Sequence, residues 1–379
     1  MRIFLLLSIA FGILLSSCHT PPPSSPLEAA IALRLDSLLL EPEFEAISVG
    51  IIDEQDVFSI HRGMLLNGKV PDSNTLYEIA SLTKTFTGTL LAEAIREKKI
   101  GLDDDIRTYL KGDYPNLVYK DQAITFRHLL THQSGLPRLF PNKEGLFDNP
   151  DWDRLPYEIN ALQEGFSKED FFSALSKVRL DTLPGSAFAY SNAGANLLGY
   201  LLEEIYDQSY EILLQEKILT PLKMSSTFID QQKVDMDNMA MGQNVNKVHM
   251  PLSAQKGISA EGGIIASTGD MLKYFQFHME EERETVSISH QHLWEGRYGD
   301  FEAGFFWQIN KNGENPDIIF QNGGAYGTSS WVTMIPESKL TVFMVSNVSG
   351  PEIHQKMSVG VNSIIETIEQ SRESKIKRE

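Results

Sequence analysis

The sequence contains a single cysteine among its 379 residues, Cys18, so no disulfide can form within the chain. Positive charge is also scarce, because 33 lysines and arginines face 51 aspartates and glutamates and leave a net charge of −18. Such a surface repels phosphate groups and disfavours binding to nucleic acid or anionic lipid. No internal repeat occurs, which argues against a repeat array. After the first residues, no apolar run is long enough to span a membrane.

The N-terminus, MRIFLLLSIAFGILLSSC, carries one positive charge followed by an apolar run that ends in small residues. This layout predicts a signal peptide over residues 1–17. The run ends in Leu-Ser-Ser-Cys, which resembles a bacterial lipobox, so Cys18 is the expected site of lipidation. An ordinary signal peptide followed by an incidental cysteine is the alternative.

Residues 18–26, a lipidated cysteine followed by a stretch rich in proline and serine, would tether a globular domain of residues 27–379 to the membrane. We expect a lipoprotein of the bacterial cell envelope that faces the periplasm. The residue after the cysteine is His19 rather than the aspartate that often marks inner-membrane retention, which favours the outer membrane.

Apolar spacing along the chain predicts both helices and strands. Helical spacing occurs in residues 27–40, 126–132, 168–178, 194–206 and 353–370. β-rich runs occur at 47–52 and 57–61, which together suggest a hairpin, and again at 317–324, 329–336 and 339–347. Because strands lie at both ends of the chain, we expect them to pair into one sheet beside a helical lobe of about residues 103–250. A ligand site is expected in the cleft between sheet and lobe.

The 46 residues between Pro137 and Pro184 carry many charges and several aromatic residues but no clear period. We interpret them as an elaborated surface segment that could act as a lid. Further upstream, Gly101 is expected to cap the end of a helix that begins at Ser81.

Ser81 and Lys84 lie three residues apart at the start of an apolar-periodic run. On a helix this spacing places both side chains on one face, and a serine needs an adjacent base to act as a nucleophile. The start of a helix also supplies free N–H groups that favour developing negative charge. A helix cap followed by a solvated lysine is the alternative, and so short a pattern often arises by chance.

Tyr190-Ser191-Asn192 lies just before the predicted helix at 194–206. As chemistry, Tyr190 is a candidate base whose phenolate Lys84 stabilises, and Asn192 is a candidate to hold both the lysine and a substrate amide. As structure alone, Ser191 or Asn192 would cap the helix, and Tyr190 would be a packed aromatic residue.

Gln321-Asn322-Gly323-Gly324 ends a predicted strand. Paired glycines let a substrate backbone approach closely. The N–H of Gly324 could join the N–H of Ser81 as an oxyanion hole. A simple hairpin turn is the alternative for this run.

In this order, the three elements resemble the serine β-lactamase and penicillin-binding protein family, in particular its class C and D-alanyl-D-alanine carboxypeptidase-like branch. Ser81-Leu82-Thr83-Lys84 matches the S-x-x-K motif and Tyr190-Ser191-Asn192 matches the Y-x-N motif. The segments at residues 129–137, 218–228 and 261–275 are also similar to family segments, so the resemblance covers nearly the whole chain after the tether.

The resemblance implies an α+β fold of the β-lactamase/transpeptidase type, with an antiparallel sheet flanked by helices plus a helical lobe. It implies a serine hydrolase without metal or organic cofactor, in which Ser81 is acylated. Lys84 and Tyr190 would activate the serine, and Asn192 would position the lysine and the substrate. The expected substrate is an ester, an amide or a D-amino acid peptide. A class C-type β-lactamase or D-Ala-D-Ala carboxypeptidase, or a non-catalytic binding lipoprotein of this fold, is the alternative.

The third motif departs from the family pattern, because Gln321-Asn322-Gly323 stands where Lys-Thr-Gly or His-x-Gly is usual. By family implication a lysine there helps to hold a substrate carboxylate, and glutamine offers hydrogen bonds without positive charge. The departure favours a neutral ester, an amide, or a substrate whose carboxylate is held elsewhere. Arg138, at the start of the possible lid, is the candidate for that other position.

Two further patterns point away from other enzyme classes. His128 and His132 have the i, i+4 spacing of zinc-binding HExxH helices, but the residues between them are Leu-Leu-Thr, without a glutamate base. The chain also lacks a G-x-S-x-G motif, which argues against an α/β-hydrolase.

Overall fold

The structure, a computed structural model, describes residues 25–253, 259–294, 302–310, 317–350 and 352–377. The predicted signal peptide and the proposed lipidation site at Cys18 lie outside these residues and stay predictions. Across the described ranges, no helix combines the length and the apolar character that crossing a membrane requires.

Most of the helices begin at a side-chain cap, in which the oxygen of a serine or threonine accepts a hydrogen bond from the first turn. Their bounds are α1 Pro26–Leu38, α2 Thr83–Arg96, α3 Phe126–Leu130, α4 Leu155–Gln163, α5 Lys168–Leu175, α6 Asn192–Tyr206, α7 Tyr210–Leu214, α8 Thr268–His278, α9 Glu284–Ser289 and α10 Ile353–Ile376. The five helices predicted from apolar spacing are present, with ends that differ by a few residues, and α10 runs further than expected.

Two details of the helix prediction were wrong. Gly101 does not cap α2, because the helix ends at Arg96 and Lys98 takes the left-handed conformation, with φ of 59°. Helix α4, inside the segment between Pro137 and Pro184, was not predicted, whereas α5 in the same segment was.

In the described ranges the strands form one large sheet and three small ones. Their bounds are β1 Ala46–Asp53, β2 Asp56–Gly63, β3 Leu76–Glu78, β4 Val118–Tyr119, β5 Gln122–Ala123, β6 Thr227–Phe228, β7 Gln243–Asn244, β8 Ile265–Ser267, β9 Glu302–Ala303, β10 Gln308–Asn310, β11 Ile318–Gly324, β12 Ser329–Ile335, β13 Leu340–Ser346 and β14 Val348–Ser349. The large sheet has the order β2-β1-β13-β12-β11-β10-β9, and its neighbouring strands are antiparallel.

The pairing of β1 with β13 joins the two ends of the chain, with Val49 opposite Met344. This confirms the prediction that strands distant in sequence share one antiparallel sheet, and the fold is α+β as expected. The range of the helical lobe, about residues 103–250, stays a prediction, although α3 to α7 fall within it.

Strand β1 is buried on both faces, which explains why its sequence is apolar without strict alternation. One face, with Val49 and Ile51, packs into a core cluster with α1 and α10. On the other face, Ile52 joins the main core. Helix α8 approaches β1 closely at Gly50, where an added Cβ would lie only 2.9 Å from the side chain of Leu272.

The main core continues from the sheet into the helical part through α2, which is buried along most of its length. Strand β3 leads directly into a 3₁₀ turn, Ala80–Leu82, and this turn runs into α2. Strand β11 passes so close to the turn that a Cβ on Gly323 would lie 2.2 Å from the carbonyl oxygen of Ile79. Glycine at 323 is therefore what lets the sheet meet the start of α2.

Candidate active site

Ser81 and Lys84 lie on one face of the 3₁₀ turn and the first turn of α2. The Lys84 Nζ donates to Ser81 Oγ over 3.0 Å, as the i, i+3 spacing predicts. The lysine is only 1% exposed. A lysine with so little access to water requires hydrogen-bond partners for its Nζ, and Ser81 is one of them.

The second partner of Lys84 is the backbone carbonyl of Glu261, to which Nζ also donates. Residues 259–263 reach this position because the nearby Ile264 N–H donates to Thr83 Oγ1 over 3.1 Å. The Glu261 N–H in turn donates to the side chain of Asn196 on α6. Lys84 thus links α2 to the segment that precedes β8. This contact was not predicted from the sequence.

Tyr190 approaches Ser81 from the loop before α6, and its Oη lies 2.6 Å from Ser81 Oγ. The Lys84 Nζ lies 4.9 Å from the centre of the same tyrosine ring. The residues of the two predicted motifs therefore meet at one oxygen atom, although Tyr190 is 109 positions from Ser81 in sequence.

Ser191 explains how the tyrosine is held. Its side chain caps α6 by accepting from the Gly194 N–H at 2.9 Å, and it donates to the carbonyl of Pro137 at 2.6 Å. The capping role that was one of two alternatives for this run is thus the role of Ser191. Asn192 is the first residue of α6.

His132 is a site residue that the sequence analysis missed. Its ring centre lies 4.4 Å from that of Tyr190, and its Nδ1 accepts from the Ser191 N–H at 3.2 Å. Burial, with a smaller effect of the Lys84 charge, lowers the pKa of His132 to about 3. A neutral imidazole fits its role as an acceptor. The i, i+4 spacing to His128 carried no signal for this role, and His128 itself closes a capping box at the start of α3.

The backbone just before Ser81 is strained. Ala80 has φ of 51°, in the left-handed region that residues with a Cβ rarely adopt. Such conformations cluster at functional sites, where the surrounding structure holds them in place. The buried neighbours Ile79 and Leu82, and the close approach of Gly323, supply that constraint.

A cavity of about 690 Å³ opens onto Ser81. Asn192 and Gly324 line it together with Ser81, as the motifs predicted. The side-chain oxygen of Asn192 is buried and has no hydrogen-bond partner within the described part of the chain. An unpaired buried acceptor is costly, so this oxygen is available to a substrate N–H. No hydrogen bond joins Asn192 to Lys84 among the described residues, in contrast to the role expected for it.

The structure does not bring Gln321 to the cavity wall. Its side-chain oxygen accepts from the Asn322 N–H at 2.8 Å and from the side chain of Gln308 at 3.0 Å, and its amide nitrogen donates to the carbonyl of Phe306. These contacts with Gln308 on β10 and with Phe306 occupy the side-chain amide of Gln321. Gly323 and Gly324, by contrast, lie against Ala80 and at the cavity respectively.

Arg138 is a cation in the cavity wall. Its guanidinium lies 4.4 Å from the centre of the Phe147 ring, and no carboxylate of the described ranges is within ion-pair distance of it. Its backbone is fixed to the site, because the Asn192 N–H donates to the Arg138 carbonyl at 2.8 Å. Apolar side chains from the segment between Pro137 and Pro184 form the wall beside it: Leu139, Phe147, Trp152, Leu155, Pro156 and Ile159.

Comparison with curated proteins finds relatives of low identity over most of the chain. A D-alanyl-D-alanine-carboxypeptidase/endopeptidase, AmpH of Escherichia coli strain K12, is 24% identical over 316 residues, which cover 79% of this chain and 78% of that protein. A β-lactamase of the same strain is 23% identical, with 89% of this chain and 93% of that protein covered.

Comparison with solved structures supports the fold. A β-lactamase/D-alanine carboxypeptidase from Yersinia pestis, solved in complex with citrate, superposes with a TM-score of 0.71 at 21% identity and covers 90% of this chain and 99% of that one. A family model described as beta-lactamase matches residues 42–361. Because that match spans most of the chain, from before the first strand into the last helix, the protein belongs to the beta-lactamase family.

Proposed function

We propose that this protein is a serine hydrolase that acts through an acyl-enzyme on Ser81. The observation that carries the proposal is the convergence of Tyr190 Oη, at 2.6 Å, and Lys84 Nζ, at 3.0 Å, on Ser81 Oγ. A serine becomes nucleophilic when a positioned group takes its proton. A protein that only bound a ligand would have no need of this arrangement.

The hydrogen bonds suggest a route for the proton. A charged lysine only donates, so Lys84 as an ammonium uses its protons on Ser81 Oγ and on the Glu261 carbonyl. Within the described residues, Tyr190 Oη is then the acceptor in reach of the serine proton. In this proposal Tyr190 enters the step as a phenolate, which the adjacent positive charge of Lys84 stabilises, and it becomes a neutral phenol as it takes the proton of Ser81 during the attack.

The attacked carbonyl becomes an oxyanion, and the N–H groups of Ser81 and Gly324 are its donors in this proposal. Both residues line the cavity. The free side-chain oxygen of Asn192 would accept an N–H of an amide or peptide substrate. When the tetrahedral intermediate collapses, the bond to the alcohol or amine breaks and Tyr190 returns its proton to that leaving group, which restores the phenolate. In deacylation the phenolate takes a proton from water as the water attacks the acyl carbonyl, and Ser81 leaves with that proton.

The cavity wall indicates the class of substrate. Its apolar side suits an uncharged acyl or side-chain group of the substrate. Arg138 offers the positive charge for a substrate carboxylate, which Gln321 cannot supply. We therefore propose an ester, an amide or a D-amino acid peptide as substrate. The curated relatives named for carboxypeptidase and β-lactamase activity keep those two reactions as the second candidates.

The test is the intact mass of the purified protein after brief exposure to a p-nitrophenyl ester and, separately, to a penicillin. Ser81→Ala is the control. We expect an adduct on the wild type that is absent from Ser81→Ala, with the ester favoured over the penicillin. A penicillin adduct that forms faster than the ester adduct would shift the assignment to a β-lactamase or carboxypeptidase. The absence of adduct and turnover with both reagents would support a non-catalytic binding protein instead.

A further inference from the structure

The peptide unit between Gly323 and Gly324 is held by a histidine from the last helix. His354, in the first turn of α10, places its Nε2 3.0 Å from the carbonyl oxygen of Gly323. A carbonyl only accepts hydrogen bonds, so Nε2 must carry the proton and donate it. Burial lowers the pKa of His354, which leaves a neutral ring whose single N–H is used in this contact.

The contact bears on Gly324 because the C=O of residue 323 and the N–H of residue 324 belong to one planar, trans peptide unit. The two groups point in opposite directions. A hydrogen bond that fixes the direction of the carbonyl therefore fixes the direction of the N–H. It also polarises the peptide and strengthens the N–H as a donor.

Packing around the two glycines supports a built position for the imidazole. A Cβ on Gly324 would lie 2.9 Å from Cε1 of His354, so the absence of a side chain there makes room for the ring. On the other side, Gly323 is pressed against the carbonyl of Ile79. The peptide is thus confined between the turn that carries Ser81 and the first turn of α10.

A competing donor is weaker. The hydroxyl of Ser330 lies 3.4 Å from the same Gly323 carbonyl but 3.1 Å from the carbonyl of Ile79. It has one proton, and the shorter distance favours Ile79. His354 is therefore the principal side-chain donor to this peptide within the described part of the chain.

We propose that His354 is a positioning residue of the oxyanion hole: its Nε2–H fixes the Gly323 carbonyl and thereby aims the Gly324 N–H at the oxygen of the acylated substrate. This inference rests on the proposed function, since it assigns a role within the same reaction. The role proposed for His354 is exerted through Gly324, although its side chain also lines the cavity.

The experiment compares His354→Leu, which removes the donor, with His354→Gln, whose amide nitrogen can replace Nε2. Gln355→Leu, at the exposed neighbouring position of α10, is the matched control. For p-nitrophenyl ester hydrolysis we expect kcat of His354→Leu to fall about tenfold with little change in KM. This tenfold loss is smaller than the roughly 10²–10³-fold loss caused by removing an oxyanion donor outright, because the variant keeps the N–H of Gly324. His354→Gln should recover most of the rate, and Gln355→Leu should match the wild type.

Infrared difference spectra of the acyl-enzyme give a readout that a merely structural role would not move. Weaker hydrogen bonding to the acyl carbonyl raises its stretching frequency, so the band should shift upward in His354→Leu and return in His354→Gln. An unshifted band and unchanged kcat in a folded His354→Leu variant that still acylates would overturn the inference and leave the proposed function standing. Failure of the wild type to acylate at all would refute the proposed function itself, and with it this role for His354.

Discussion

At the scale of single residues, the site depends on two groups that reach one oxygen from different directions. Lys84 reaches Ser81 within one helical turn, whereas Tyr190 reaches it from the loop before α6. Their roles differ, because the buried lysine also bonds the Glu261 carbonyl and so helps to hold the site together. The tyrosine hydroxyl has Ser81 as its hydrogen-bond partner within the described residues.

This difference predicts the effect of Tyr190→Phe. The substitution removes the 2.6 Å contact to Ser81 Oγ while keeping the ring that packs on His132. Loss of a general base typically lowers the rate by about 10²–10⁴-fold. We expect the rate of Ser81 acylation by a p-nitrophenyl ester to fall by that amount, with the melting temperature nearly unchanged, as measured by stopped-flow absorbance and by thermal unfolding.

The control for Tyr190→Phe is Tyr109→Phe, which removes a tyrosine hydroxyl that donates to the carboxylate of Asp104 and does not line the cavity. It should acylate at the wild-type rate. If Tyr190→Phe also retained that rate, the base would have to be Lys84, and the proton route proposed above would be wrong.

At the scale of elements, α4 is the helix that the sequence pattern did not predict. Its buried residues Leu155 and Ile159 form a small apolar cluster with Leu139 and Leu146, and Tyr326 packs against that cluster. Hydrogen bonds from Tyr157 and Asn160 tie α4 to the carbonyls of His249 and Leu252. The segment between Pro137 and Pro184 is therefore, at least in part, a fixed wall of the cavity.

An apolar wall predicts a preference for longer acyl chains. Each buried methylene contributes about 0.8 kcal/mol, or about fourfold in kcat/KM. We expect kcat/KM to rise from p-nitrophenyl acetate to butyrate in the wild type. Leu155→Ala, which removes part of the wall, should reduce the ratio between the two esters, measured by steady-state kinetics.

The matched control is Leu175→Ala on α5, which is fully buried in the main core but does not line the cavity. It should lose stability, as large-to-small core substitutions do, and keep the wild-type preference between the esters. Equal ratios in the wild type and in Leu155→Ala would show that the acyl group binds elsewhere.

At the scale of the whole molecule, folding buries several histidines in neutral form. Burial lowers the pKa of His61 to about 4 and that of His132 to about 3, and it lowers the pKa of His278 well below its ordinary value. Below pH 6.5 the unfolded chain takes up protons on these rings and the folded chain does not. Each ring therefore disfavours the folded state as the pH falls from 6.5 towards its folded pKa.

His61 allows this effect to be measured away from the active site, because its ring bonds Ser48 and Ser59 in the β1–β2 hairpin. His61→Asn removes one titrating group. Between pH 6.5 and about pH 4, the unfolding free energy of the wild type should fall more steeply than that of His61→Asn, by up to about 1.4 kcal/mol per pH unit. Urea unfolding across this range is the measurement, and parallel curves for the two proteins would contradict it.

Predictability from sequence follows the distance between the residues that interact. The hairpin of β1 and β2, the strands β11 to β13 and the pairing of Ser81 with Lys84 were predicted correctly, because periodicity and i, i+3 spacing depend on chain neighbours. The resemblance to a family supplied Tyr190 and Asn192 as candidate partners. Gly323 and Gly324 were chosen because paired glycines let a substrate backbone approach closely, whereas the close approach that the structure shows at 323 is that of the Ile79 carbonyl.

Other features depended on packing between distant segments. His132 meets Ser191 across 59 positions, and Lys84 meets the Glu261 carbonyl across 177. No local pattern records such contacts, because they form only when the sheet, α2 and α6 have come together. The same reason accounts for Gln321, whose side-chain amide bonds Gln308 on β10 and does not line the cavity. Local spacing thus specified the pairing of Ser81 with Lys84 and the main strands, whereas tertiary packing selected which polar groups face the cavity.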